Sequence, residues 1–112
     1  MAEGLIPRGS IVAVAIPGDF GKPRPALVVQ TQLYAELSTV LVCPLTSDLS
    51  ASSALRIRID PSPENGLKTP SHVMLDKLTA VRRSRIGEEI GTVGPNVMED
   101  VGRELALLIG LG

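Results

Sequence analysis

The sequence predicts an α+β fold: a small curled antiparallel sheet or barrel of five to seven short strands, followed by one C-terminal amphipathic helix. Three observations predict it. The apolar runs are strand-sized and rich in β-branched residues, turn-forming Gly, Pro and Ser separate them, and helical periodicity begins only after residue 94. Because the chain has 112 residues, we expect one domain, 1–112, with a single core.

The strands are predicted from apolar runs and from one alternating segment. ALRIRI alternates apolar with charged residues, which is typical of a strand that is buried on one face and wet on the other. TQLYAEL has leucines at helical spacing and predicts a short helix or turn, whereas LTAVRRSRIG predicts a connector. The segments that predict strands are 11–16, 26–30, 39–44, 54–59, 72–75 and 88–93.

The last segment has a helical period. Pro95 suits the first helical turn, and apolar residues then recur at intervals of three and four up to Ile109. Charged residues such as Arg103 and Glu104 lie on the other side. This pattern predicts an amphipathic helix that packs on the sheet.

Charge and composition limit the class of protein. The net charge is −1, but it is unevenly distributed. Residues 1–87 contain ten Lys or Arg and seven Asp or Glu, whereas residues 88–112 contain one Arg and five Asp or Glu. A basic body permits a surface that binds a polyanion. The apolar runs are too short to span a bilayer, no signal-like segment opens the chain, and one cysteine cannot form an internal disulfide. We therefore expect a cytoplasmic protein that does not associate with membranes.

The residues do not predict metal or cofactor chemistry. The single His and single Cys are far apart, the acidic residues do not cluster, and no phosphate-binding or dinucleotide fingerprint is present. Cys43 lies inside an apolar strand, which favours an inert packing thiol. His72 is predicted to be a strand-edge residue. We expect neither a metal nor a cofactor.

Two groups of polar residues at strand ends are candidates for function. Arg24 stands between two prolines just before ALVV, where the prolines fix the backbone at the end of a loop, and a guanidinium held in this way indicates anion binding. Thr46 and Ser47 follow the apolar run that ends at Leu45. The alternative for both is structural, because Ser, Thr and Asp also cap turns and an arginine can simply open a strand.

Five segments together resemble the MazF/PemK family of toxin endoribonucleases from bacterial toxin–antitoxin systems: RGSIVAVAI, KPRPALVVQ, TVLVCPLTSD, GLKTPSHVMLDKLTAVRRSRIG and MEDVGRELALLIGL. Their order and spacing extend the resemblance from Arg8 to Leu111. The resemblance implies a small SH3-like β-barrel with a C-terminal helix, a homodimer, and metal-free cleavage of single-stranded RNA such as mRNA. It also implies an antitoxin that covers the RNA groove.

The resemblance assigns catalytic roles to Arg24 and Thr46. Arg24 would supply bidentate donors to the scissile phosphate, and the Thr46 hydroxyl would donate to a nonbridging oxygen. No general base is evident at either motif. Attack by the 2′-hydroxyl would give a 2′,3′-cyclic phosphate and a 5′-hydroxyl end. The residues predicted to contact RNA are Phe20, Lys22, Ser47, Asp76, Lys77, Arg82 and Arg83.

Two positions depart from the family pattern. Ser10 stands where an acidic residue is usual, and Lys77 follows Asp76 where a glutamine is frequent. Both changes alter charge near the predicted groove. Phe20 either stacks on a base or tucks into the barrel.

Two other functions share the predicted fold. A gyrase-poisoning toxin would bind a protein and perform no chemistry, but that group relies on an aromatic residue at the C-terminal tail, and this chain ends LLIGLG without Trp. An inactive SH3-like interaction module is the second alternative.

Overall fold

The computed structural model of the protein describes residues 6–16 and 22–112. Within them lie seven strands, three short 3-10 helices and one α-helix. The α-helix, α1, spans Pro95–Leu108, and the 3-10 turns cover Gln32–Tyr34, Leu75–Lys77 and Arg83–Arg85. The strands are β1 (Ser10–Ala15), β2 (Pro23–Val28), β3 (Thr39–Thr46), β4 (Arg56–Ile59), β5 (Ser71–Met74), β6 (Thr79–Arg82) and β7 (Ile86–Thr92).

All the strand pairs are antiparallel. The order across the sheet is β4-β5-β3-β2-β1-β7, and β6 pairs with the first half of β3. The segment after β4 then reaches β7, where the Thr92 N–H donates to the Glu64 carbonyl over 2.9 Å. This contact brings the two ends of the sheet together. The predicted α+β class, the strand number and the terminal helix are confirmed.

Two glycines permit this approach. Gly66 has a φ of 67°, a conformation that favours glycine. A Cβ at Gly66 would overlap the Ile90 carbonyl, and a Cβ at Gly91 would overlap the Asn65 backbone. The segment between β4 and β5 therefore packs backbone against backbone on β7.

The central strands are buried on both faces. Successive residues of β1, such as Ile11 and Val12, belong to two different apolar clusters, and Leu27 and Val28 of β2 do the same. Burial on both faces explains why the sequences of these strands are continuously apolar and do not alternate between apolar and polar residues. Helix α1 contributes Val101, which is fully buried, to the first cluster.

The strands that carry the candidate residues are longer than predicted. β2 begins at Pro23, so Arg24 lies inside the strand rather than before it, and it pairs with Val14 of β1. Proline is tolerated at the first residue of a strand. β3 continues to Thr46, which pairs with His72 of β5. The candidate residues are therefore held by strand pairing.

Two sequence predictions are wrong. Residues 79–82 form strand β6 rather than a connector, because pairing with β3 buries Val81 in the second apolar cluster. A strand of four residues that ends in one arginine and is followed by another gives too weak a local signal to be recognised. His72 is not at a strand edge, because β5 pairs with both β3 and β4, and only 8% of the residue is exposed.

Candidate functional site

A cavity of about 460 Å³ opens where β2 and β3 diverge. The two strands are paired from Val28↔Val42 to Ala26↔Pro44, and the pairing stops two residues before Arg24. The same register, continued by two residues, would place Arg24 opposite Thr46. The residues that line the cavity are Arg24, Pro25, Leu45, Thr46, Ser47, Gly66, Leu67, Lys68, Thr69, Ser71, Glu88 and Ile90.

Arg24 is positioned by β1 and by its two proline neighbours. Its backbone lies across from Val14, and Pro23 and Pro25 lie across from Ala15 and Ala13. Each proline ring fixes its own φ near −65° and restricts the residue before it. The Arg24 side chain is exposed and reaches the cavity. The strand thus holds the backbone while the guanidinium remains accessible to a ligand.

Thr46 is fixed by a local turn. Its Oγ1 accepts a hydrogen bond from the Asp48 N–H over 3.1 Å, which is the capping contact of the structural alternative. A hydroxyl has two acceptor lone pairs and one donor hydrogen. Since this bond uses only acceptor capacity, the Thr46 hydroxyl retains its hydrogen for donation. The turn and a catalytic role are therefore compatible.

The turn after Thr46 also fixes Asp48. The Asp48 carboxylate accepts from the Ser50 N–H over 3.0 Å, and hydrogen bonds from Ser50 lower the pKa of Asp48. Ser47, between the two turn residues, is exposed and lines the cavity. The structure therefore brings together three of the residues predicted from sequence, Arg24, Thr46 and Ser47.

Lys68 and Glu88 are two charged residues of the cavity that the sequence reasoning missed. Lys68 lies in the segment between β4 and β5, Glu88 lies on β7, and both are exposed. Glu88 is brought to the cavity by the pairing of β2 and β7 with β1, and Lys68 joins it through the contact of its segment with β7. No local pattern in the sequence indicates this contact. The one related signal is Gly66, which stands two residues before Lys68.

Asp76 and Lys77 lie in the 3-10 turn after β5 and do not line this cavity. The Asp76 carboxylate accepts two hydrogen bonds from Arg56 of β4, over 3.0 Å from Nε and 3.2 Å from Nη2. The Arg56 hydrogen bond lowers the pKa of Asp76. Asp76 is therefore held as a carboxylate beside a guanidinium.

Arg82 and Arg83 lie at the opposite end of β3 from Thr46. Arg82 pairs with Thr39, the first residue of β3, whereas Thr46 is the last. Seven residue steps along a strand span up to about 23 Å. Arg83 is anchored there, since its Nε donates to the Leu37 carbonyl over 3.1 Å. These arginines do not share the cavity with Arg24.

Lys22 is exposed and directly precedes β2. Phe20 and the glycines around it lie outside the described residues. Among residues 6–16 and 22–112, no three His, Cys, Asp or Glu side chains form a group that could hold a metal ion. No helix in the same part of the chain is long and apolar enough to cross a membrane.

Comparison with known proteins identifies the family. A profile described as PemK-like, MazF-like toxin of type II toxin–antitoxin system matches residues 7–109. The chain belongs to this family. A curated relative from Mycolicibacterium smegmatis, named probable endoribonuclease MazF, is 37% identical over 105 residues, which cover 93% of this chain and 96% of the relative. The resemblance seen in the sequence is confirmed.

Solved structures share the fold. The Mycobacterium tuberculosis toxin MazF-mt6 superposes with a TM-score of 0.78 at 22% identity, over 92% of this chain and 98% of that one. A MazE–MazF crystal structure from Deinococcus radiodurans gives a TM-score of 0.76 at 25% identity, over 96% and 99% of the two chains. Nothing in the family description or in these relatives supports the gyrase-poisoning alternative.

Proposed function

We propose that this toxin is an endoribonuclease that cleaves single-stranded mRNA at the cavity between β2 and β3. The observation that carries the proposal is that Arg24 and Thr46, on neighbouring strands, line the same cavity. The curated relative named an endoribonuclease, at 37% identity over almost the whole chain, supports the same activity.

The reaction uses the 2′-hydroxyl of the substrate as the nucleophile. The protein must align that oxygen with the phosphorus and stabilise the negative charge that develops on the phosphoryl oxygens. Arg24 supplies a planar pair of N–H donors, and the Thr46 hydroxyl supplies one more. The products are a 2′,3′-cyclic phosphate and a 5′-hydroxyl end. This reaction requires hydrogen-bond donors and positive charge at the phosphate, and it does not require a metal ion.

The path of the RNA extends beyond the cavity. We assign Lys22 and Ser47 to contacts near the cleaved bond, the turn that carries Asp76 and Lys77 to contacts with RNA outside the cavity, and Phe20 to stacking on a base. Arg82 and Arg83, at the far end of β3, would contact phosphates further along the strand. Contacts to phosphate position the RNA, and contacts to bases select the sequence.

The assembly proposed for this single domain, 1–112, is a homodimer that an antitoxin neutralises. Two copies of a small curved sheet build a longer groove than one copy. The MazE–MazF complex from Deinococcus radiodurans, which shares 25% identity with this chain, supports an antitoxin partner. Both proteins would act in the cytoplasm, where mRNA is the substrate.

Cleavage in the presence of EDTA tests the proposal. Purified protein is incubated with a long single-stranded RNA and excess EDTA, and both ends of each product are mapped. We expect discrete cuts with 2′,3′-cyclic phosphate and 5′-hydroxyl ends. Intact RNA, or products with 5′-phosphate ends, would refute the proposed reaction. Light scattering of the same sample measures the mass of the assembly, and a monomer at micromolar concentration would refute the dimer.

A further inference from the structure

The cavity also holds a carboxylate, which is the group that the predicted chemistry lacked. Glu88 of β7 lines the cavity together with Arg24 and Thr46. We propose that Glu88 is the proton acceptor for the attacking 2′-hydroxyl, a role that rests on the RNA cleavage proposed above.

The position of Glu88 favours this role over the other candidates. A general base must reach the proton that it removes, and Glu88 is exposed inside the cavity that holds the phosphate donors. His72, the single histidine of the chain, is only 8% exposed and is not among the residues that line the cavity. Arginine side chains are not deprotonated in proteins, so Arg24 is not a candidate for the proton acceptor.

The charged groups that line the cavity with Glu88 are Arg24 from β2 and Lys68 from the segment between β4 and β5. Two cations beside one carboxylate give the lining a net charge of +1. The phosphate is therefore attracted to the cavity even though it contains a negative base.

In the proposed reaction one P–O bond forms and one P–O bond breaks. The 2′-oxygen forms a bond to phosphorus while its proton passes to the Glu88 carboxylate, and the bond between phosphorus and the 5′-oxygen breaks. The leaving 5′-oxygen takes a proton from the Lys68 ammonium. Glu88 then loses its proton to water and Lys68 regains one, so the protein returns to its starting state. Arg24 and Thr46 hold the phosphoryl oxygens throughout.

Glu89 provides a matched control on the same strand. It is also exposed, but it lines a separate cavity of about 200 Å³ with Ser10 and Arg83. The substitutions Glu88→Gln and Glu89→Gln remove the same charge from adjacent positions. A difference in cleavage rate between the two variants is therefore due to the position of Glu88 in the cavity and not to the net charge of the protein.

The first test compares single-turnover cleavage by the parent, Glu88→Gln, Glu88→Asp and Glu89→Gln. We expect Glu88→Gln to lower the rate by about 100-fold or more, since general base catalysis contributes about 10² to 10⁴. Glu88→Asp should recover part of the loss, and Glu89→Gln should cleave like the parent. The acidic limb of the pH–rate profile should be present in the parent and absent in Glu88→Gln.

Binding of an uncleavable RNA separates the two proposals. RNA with 2′-O-methyl groups lacks the nucleophile but keeps the phosphates, and its binding is followed by fluorescence anisotropy. Glu88→Gln should bind it at least as tightly as the parent, because the variant removes a negative charge from the cavity. If the parent cleaves RNA and Glu88→Gln matches its rate and pH profile, the assignment of Glu88 is wrong. If the parent cleaves nothing, the proposed function itself is wrong.

A modified leaving group tests Lys68. A substrate with sulfur in place of the bridging 5′-oxygen expels a thiolate, which needs no proton because thiols are far more acidic than alcohols. Lys68→Gln should slow cleavage of normal RNA and cleave the sulfur substrate nearly as fast as the parent. Glu88→Gln should remain slow on both substrates. Equal slowing of Lys68→Gln on both substrates would overturn its role as the proton donor.

Discussion

Replacement of Arg24 by alanine tests the catalytic site most directly. Arg24 is the single guanidinium among the residues that line the cavity, and Lys68 is the other cation. Arg24→Ala takes the net charge of the lining from +1 to zero and removes the bidentate donor. Loss of one preorganised donor to developing charge costs about 3 to 4 kcal/mol, which is a factor of about 10² to 10³ in rate. We expect a loss of this size in kcat/KM for RNA cleavage.

The fold should tolerate this substitution. The Arg24 side chain is exposed, and its backbone pairing with Val14 does not need the guanidinium. Surface substitutions of this kind change the free energy of unfolding by about 0.5 kcal/mol or less. Circular dichroism and thermal melting of the purified variant measure this directly.

Two further variants separate chemistry from charge. Arg24→Lys keeps the positive charge but loses the planar pair of donors, so it should remain strongly impaired. Arg103→Ala removes one arginine from the exposed face of α1, where it is paired with Asp100 over 2.7 Å, and should cleave like the parent. Arg24 is not a catalytic residue if Arg24→Ala cleaves RNA within about threefold of the parent while its melting is unchanged.

Three further predictions concern stability and RNA affinity. Gly91→Ala should lower the free energy of unfolding in urea by about 1 to 3 kcal/mol, because the new methyl group overlaps backbone atoms; unchanged unfolding would contradict the close approach. The Arg56 hydrogen bond lowers the pKa of Asp76 in the folded protein. The ion pair therefore stabilises the fold fully at pH values above the ordinary aspartate pKa of about 3.9, and this stabilisation is lost as the pH falls through the lowered pKa of Asp76 in the folded protein. Since the Asp76 side chain is 35% exposed, Asp76→Asn should lower the free energy of unfolding by at most about 1 kcal/mol at pH 7 and should not change it at acidic pH. A difference in stability between variant and parent that persists in acid would contradict a stabilising role of the Arg56–Asp76 pair. Arg82→Ala and Arg83→Ala should each reduce the slope of log affinity against log salt by about 0.7, and an unchanged slope would exclude a phosphate contact.

The central strands and the helix could be predicted from the sequence because each is indicated by the pattern of its own residues. Ile11 to Ile16 is apolar throughout, and the segment from Pro95 to Leu108 has a clear helical period. β6 could not be recognised, because four residues next to arginines become a strand only when β3 supplies the partner. Pairing between distant segments overrides weak local preference in sheets.

The candidate site could be predicted only in part for the same reason. Arg24 and Thr46 carry signals in their own neighbourhoods, a pair of prolines and a strand end. Lys68 and Glu88 carry none, because Lys68 reaches the cavity through the contact of the segment before β5 with β7, and Glu88 reaches it through the pairing of β7 with β1. Such long-range contacts depend on the whole fold and leave no periodic pattern in the sequence.

The buried thiol of Cys43 gives the protein an internal reporter of strand opening. Cys43 is the one cysteine of the chain, it is fully buried in β3, and burial raises its pKa to about 12. A thiol reagent can therefore react only when β3 leaves the sheet, and β3 is the strand that ends at Thr46. Labelling rates would thus measure how often β3 opens. A ligand that holds β3 in place would slow the labelling without any change to the sequence.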